Sequence, residues 1–248
     1  GSHLGHEGKL GKGDLKVGDT VNARVEGPRR QATSLNHSAT HLLHAALRTV
    51  LGDHVVQKGS LVTHERTRFD FSHPQPVTAG ELASIEAMVN CEIRQNEVVE
   101  TRVMLIEEAK AAGAMALFGE KYDDEVRVLS MGKFSVELCG GTHVARTGDI
   151  GLFKITGESG VASGIRRIEA VTGAGATAHV CNLQSTIGLV ADLLKTSPDI
   201  VPSKIEQLND RLRLLEKETE SLKMKLATAT GVDLLDDVTE IAGVQCLI

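Results

Sequence analysis

Thr33–Gly52 reads TSLNHSATHLLHAALRTVLG, and one face of it decides the fold. Leu35, Ala39, Leu42, Ala46, Leu47 and Val50 recur at helical spacing, which predicts an amphipathic helix. A Ser or Asn ahead of the run can cap it, and Gly52 can end it. His37 and His41 stand at i and i+4, so their rings leave the helix on one side. His44 follows one turn on. His37 and His44 are about 10 Å apart along the axis at 1.5 Å per residue, too far for one ion to take both. The helix thus offers one pair of imidazoles, and a metal centre needs a second pair from elsewhere.

The stretch ELCGGTHV, Glu137–Val144, supplies that pair. Cys139 and His143 come from a strand end and a glycine turn, where Gly140 and Gly141 let the backbone bend tightly. Three imidazoles and a thiolate are a donor set that suits zinc. Neither motif is specific alone; together they predict one Zn2+ held by His37, His41, Cys139 and His143. The competing reading is two unrelated polar clusters, with Cys139 buried as a small hydrophobe. HxxxH is also the spacing of the HExxH peptidases, whose glutamate is the general base. Here Ser38, Ala39 and Thr40 fill the interval, so that chemistry is not expected. A Walker A loop, GxSxG and a strand-borne GxGxxG are all absent from the sequence.

The flanking sequence has an α+β pattern. Gly11–Glu26 alternates apolar residues with turn glycines and predicts short strands of a small β unit. HVVQKGSLV and TRFDFSH predict a strand pair. TAGELASIEAMVNCEIRQN predicts a second helix, capped by Thr78 with Glu81 three residues on. VRVLSMGKFSVELCGGTH gives two more strands, and GLFKITGESGVASGIRRIEAVTG a strand, a glycine-rich turn and a strand. After VTGAGA the composition shifts. Ala178–Lys195 predicts a helix, and TSPDIVP breaks it. Ile205, Leu208, Leu212, Leu215, Thr219, Leu222 and Leu226 then follow at alternating spacings of three and four, a heptad seam of about three repeats. An antiparallel helical hairpin or a dimerising coil follows from that seam. DVTEIAGVQCLI reads as the opening strand of a further domain, an aggregation risk if unpaired.

The 248 residues are 41% hydrophobic, enough for a core without disulfide staples. The four cysteines form no CxxC pair, and no apolar run nears the roughly 18 residues that span a bilayer. With no signal peptide visible, a reduced, cytoplasmic protein is expected. GSH at the start resembles a tag remnant, and without an initiator methionine the chain is expected to be a piece of a longer protein. Net charge is -6, so a nucleic-acid partner needs a local basic patch. Arg29 with Arg30, and Arg166 with Arg167, are the candidates, against a plain solvated-surface role.

NHSATHLLHAALR, QKGSLV, RFDFSH, GAMALFGEKY, ELCGGTHVARTGDIG and GIRRIEAVTG, in this order over about residues 29 to 175, resemble the editing region of bacterial alanyl-tRNA synthetases. LCGGTH and GEKY separate the chain from the related threonyl-tRNA synthetase domain. Free-standing AlaX trans-editing proteins are also similar, though the heptads fit a synthetase piece better.

The resemblance implies an antiparallel-sheet editing core with packed helices, followed by a long helical hairpin or coiled coil. It divides the chain into a partial β unit (4–28), a zinc-binding editing domain (29–177), the hairpin (178–230) and the start of a C-terminal domain (231–248). It implies hydrolysis of the ester in Ser-tRNA(Ala) or Gly-tRNA(Ala), with zinc on His37, His41, Cys139 and His143. Gln57 and Thr40 match pocket positions. ATP and Mg2+ would serve the full-length enzyme only.

The acceptor end of tRNA(Ala) is the implied partner, with Arg166 or Arg167 on its phosphates and Gly140, Gly141 and Thr142 lining the site. A homodimer through the heptads and no membrane association complete the expectation. An alanine pocket excludes serine or glycine only about 100-fold, so a second, hydroxyl-reading site is needed. Thr40, Gln57 and Thr142 are polar candidates for it. No carboxylate sits between the paired ligands. Glu137 and Asp70 are the candidates for a base, against ordinary strand roles, and Arg68 shares a strand face with Asp70 and can pair with it. The rival classes are a zinc-stabilised interaction module that cleaves nothing and a metal hydrolase acting on small esters without RNA.

Overall fold

The computed structural model describes residues 5, 7–115, 124–236 and 238–247, with backbone alone at 229–236, 238–241 and 245–247. The GEKY motif and the GSH start lie outside the described residues. Two compact units are present, Gly1–Thr177 and Ala178–Ile248.

In the first unit the predicted small β unit is not found: residues 7–26 contain neither strand nor helix. Val17, Val21 and Val25 are exposed there. A strand exists only through its ladder partner, and the described residues offer these none. The chain enters order at helix α1, Gly27–Leu51, several residues earlier than the apolar periodicity suggests. Pro28 starts it in the first turn, where a missing N–H costs nothing, so no Ser or Asn cap is used. Gly52 ends it, with φ at 114° and its N–H on Arg48 O.

Strands β1 (Gln57–Val62) and β2 (Thr67–Ser72) form the expected antiparallel pair. Helix α2, Ala79–Gln95, carries the predicted capping box: Thr78 and Glu81 each accept from the other's backbone N–H. Strand β3 (Val99–Leu105) and the short helix α3 (Ile106–Ala111) follow, then β4 (Glu125–Met131) and β5 (Ser135–Leu138). Strands β6 (Phe153–Ala162) and β7 (Ile165–Thr172) close the unit. One sheet has the order β1-β2-β7-β6 and the other β3-β4-β5, all antiparallel.

Alternation along β2 sends Thr67, Phe69 and Phe71 to one face and Arg68 and Asp70 to the other. Phe69, Phe71, Phe153 and Ile168 meet Ala39, Leu42, Leu43, Ala46 and Leu47 of α1 in the main core. Each fully buried Leu or Phe contributes about 1.5–3 kcal/mol of transfer free energy. A polar lock sits within this layer. Asn36 donates to Thr63 O at 2.9 Å and accepts from Thr172 Oγ1 at 2.7 Å. These bonds fix how far α1 lies along the sheet.

The second unit holds most of helix α4 (Gly173–Leu193), and α5 spans Val201–Asp236. Ile205, Leu208, Leu212, Leu215 and Leu222 are 42–57% exposed. Among the described residues no extended packing of α5 along α4 covers this seam. The last segment reads in sequence as an opening strand. It is instead a hairpin of β8 (Val238–Ile241) and β9 (Val244–Leu247). Ala242 and Gly243 both have positive φ, as a two-residue hairpin turn requires.

Candidate metal centre

Helix α1 and the loop after β5 bring four ligand atoms together. Those of His37, His41, Cys139 and His143 lie within 4.8 Å of one another. Cys139 Sγ is 3.6 Å from His37 Nε2 and 3.3 Å from His143 Nε2. Zinc bonds of about 2.0–2.3 Å set tetrahedral edges of about 3.3–3.8 Å, so the two Cys139 distances fit that ion. A second observation points the same way. His41 Nε2 is buried and makes no hydrogen bond.

Each ligand is held from behind. Glu137 Oε2 accepts from His41 Nδ1 at 2.5 Å, which leaves Nε2 for the centre. Ser38 Oγ accepts from Val144 N–H at 3.1 Å and lies 3.4 Å from His143 Nδ1. Arg127 donates through Nη1 to Gly140 O (3.1 Å) and Gly141 O (3.0 Å), clamping the loop. Arg30, near the start of α1, donates to Thr142 Oγ1 at 3.2 Å.

The two glycines serve differently from the expectation. Neither has a positive φ. Gly141 is needed for space, because a Cβ there would stand 2.6 Å from His37 Nδ1 and closer still to Cε1. A Cβ on Gly140 would meet nothing within 4 Å.

The charges converge. Burial opposes ionisation of Cys139, but His143, His37 and His41 outweigh it and bring the thiol down to about 3. Burial likewise opposes charge on His41, yet Cys139 and Glu137 raise it to about 9. Burial and the charges of His41 and His37 hold His143 below its usual value, against the pull of Cys139. The thiolate is the state a metal requires, and a metal binding here would displace the extra proton that His41 carries.

The other predicted residues fall elsewhere. Thr40 is 4% exposed; its hydroxyl donates to Asn36 O at 2.8 Å and pairs with Thr67 Oγ1 at 2.7 Å, so it belongs to the polar lock. Gln57 opens β1, half-buried. Arg166 forms a two-point ion pair with Glu158, and Arg167 one with Asp70 on the sheet face opposite Phe69. Arg68 also approaches Asp70, at 3.8 Å. Neither candidate base is free. Asp70 is bound to Arg167, and both oxygens of Glu137 are taken, by His41 and by His44 Nδ1 at 2.9 Å.

Sequence reasoning missed Ser38, Arg127 and the supporting parts of Glu137 and His44. One signal was available: Glu137 lies in β5 and Cys139 just past its end, two residues on, which in extended chain puts both on one face.

A thiolate–imidazole centre between a helix and an antiparallel sheet defines the class. Residues 126–169, including the CGGTH loop, match the domain described as threonyl and alanyl tRNA synthetase second additional domain. More particularly, the chain is homologous along its whole length to part of the alanine--tRNA ligases. It is 58% identical over 248 residues to that of Shewanella amazonensis and 58% over 247 residues to that of Halorhodospira halophila, covering 28% and 29% of their lengths. The enzyme of Xanthomonas campestris pv. campestris is 56% identical over 247 residues, again across 28% of its length. The chain thus spans under a third of the curated relatives it matches.

Proposed function

We propose that this chain is the proofreading part of an alanine--tRNA ligase and hydrolyses the ester of Ser-tRNA(Ala) and Gly-tRNA(Ala). The observation that carries this reading is the convergence of His37, His41, Cys139 and His143 in a chain homologous to those ligases. Zinc bound there would supply Lewis-acid polarisation or would order the pocket around the 3′-terminal ester. The chain's own residues orient the site: Glu137 fixes His41, Ser38 fixes His143, and Arg127 holds the loop that presents Thr142. Thr142, exposed beside the ligands, is the residue best placed to meet a serine hydroxyl. Gln57 remains a pocket candidate, and Thr40 acts from behind through the Asn36–Thr67 lock.

The acceptor end of tRNA(Ala) is the proposed partner. Arg30, tied to Thr142, is the basic group beside the centre. Arg166 and Arg167 would have to exchange their carboxylates for phosphates. Residues 29–177 form the proposed editing domain, 178–230 a helical hairpin or dimerising coil, and 231–248 the start of a C-terminal domain. Among the described residues no helix is long and apolar enough to cross a membrane. We place the protein in the cytoplasm, where tRNA is charged. Attachment of alanine with ATP and Mg2+ is a proposal for the whole ligase, as no nucleotide-binding motif occurs here.

A second reading rests on the closed set of four ligands, which is the usual form of a structural zinc site. Deacylation of Ser-, Gly- and Ala-tRNA(Ala), with Cys139→Ala alongside and zinc measured in both, separates the two. Release of serine and glycine only, lost in the variant, supports proofreading. Intact esters beside zinc-loaded, folded protein support the structural reading.

A further inference from the structure

Behind the ligands the Glu137–His41 contact extends to a second buried imidazole, His44, which the proposed chemistry does not use. Glu137 is 4% exposed and His44 2%. Glu137 holds two imidazoles at once: His41 Nδ1 on Oε2 at 2.5 Å and His44 Nδ1 on Oε1 at 2.9 Å. An ionised carboxylate only accepts, so both Nδ1 atoms carry the hydrogen. This reserves the His41 Nδ1 hydrogen for Glu137, so that Nε2 is the nitrogen that faces Cys139 and the other ligands and gives up its proton to a metal. His44 comes one helical turn after His41, packs its ring 5.2 Å from that of Phe69, and leaves its own Nε2 buried without a partner. Reversing the His44 tautomer would bury an N–H with nothing to accept it and leave Glu137 Oε1 unpaired.

We infer that Glu137 and His44 are positioning residues that set the metal affinity of the centre, by locking the His41 tautomer and ring. The inference rests on the metal reading above but not on ester hydrolysis. Carboxylates behind ligating histidines typically change metal affinity 10–100-fold when removed. Neither residue touches a ligand-binding surface, so neither is a catalytic residue.

The test is zinc affinity, measured by competition with a chromophoric chelator on the purified chain, together with thermal unfolding of the metal-free protein. Glu137→Gln keeps shape but cannot accept from both histidines, and about a 10–100-fold weaker affinity is expected. His44→Leu should weaken binding in the same direction. His44→Asn, which restores an N–H near the Nδ1 position, should recover part of it. With zinc bound, the ¹⁵N shifts of the His41 ring should show the hydrogen on Nδ1 alone in the parent and a mixture of states in Glu137→Gln.

Should Glu137→Gln not fold, the His44 pair and the ring shifts of His41 decide alone. Parent-like zinc affinity, within about threefold, in both Glu137→Gln and His44→Leu overturns the inference and leaves the metal site standing. A parent protein that takes up no zinc overturns both.

Discussion

Replacing Gly141 by alanine should damage the metal centre, and replacing Gly140 should not. The added Cβ at Gly141 would sit 2.6 Å from His37 Nδ1 and nearer to Cε1. Ordinary contact begins at about 3.5 Å, so loop and ring must separate by at least about 1 Å. The loop is poorly placed to yield, because Arg127 holds the carbonyls of Gly140 and Gly141 at 3.1 and 3.0 Å. The movement therefore falls on His37, a half-buried side chain on a rigid helix. Metal–ligand distances tolerate about 0.2 Å, so a 1 Å shift removes His37 from the set. Zinc affinity in Gly141→Ala should drop at least about 10-fold by chelator competition, as it does when ligand orientation is lost. Unfolding of the metal-free protein should change little, since the main core is untouched. Gly140→Ala, whose Cβ enters open space, is the matched control. If Gly141→Ala binds zinc within about twofold of Gly140→Ala, the close approach is not what the glycine is for.

Asn36→Ala strips the partners from Thr63 O and Thr172 Oγ1 and should cost about 1–3 kcal/mol in denaturant unfolding. Thr78→Ala opens the α2 capping box and should cost about 1 kcal/mol in the same assay. The Arg167 guanidinium beside Asp70 holds its carboxyl below the ordinary 3.8 despite burial. A depressed carboxylate stabilises the fold above about 3.8 and loses that contribution as pH falls through its folded value. Melting temperature of the parent should accordingly drop below about pH 4 by a step that Asp70→Asn lacks. Paired Leu208→Lys and Leu215→Lys substitutions on the exposed seam should abolish any dimer seen by sedimentation across a concentration series. An unchanged dimer would place the interface elsewhere.

Much of the centre was legible because its ligands sit where periodicity is strongest. The i, i+4 histidines on a helix that buries Leu42, Leu43 and Leu47 had one possible orientation. Strands β6 and β7 were equally legible, since apolar runs flank a glycine turn. Strand β3 was not. Its Val103 and Leu105 are exposed, so it follows no core pattern and is held by its ladder with β4. Residues 7–26 failed the other way: their alternation of apolar residues resembles a strand, but pattern cannot supply a partner. Arg166 and Arg167 had solvent-exposed and phosphate-binding readings. Which carboxylates they meet depends on strand register, which local sequence does not encode.

Helix α1 holds the core with one side, the polar lock with another and two ligands with a third. Those three attachments turn the helix into a single mechanical part that can neither slide nor roll without breaking all of them. Its amides around His37–His44 should therefore exchange with deuterium only when the whole unit unfolds. The Cys139–His143 loop has no such triple attachment and is held instead by the Arg127 clamp and by Ser38 on Val144 N–H. Entry and exit at the centre would then wait on release of the Arg127 clamp, with α1 as the fixed jaw.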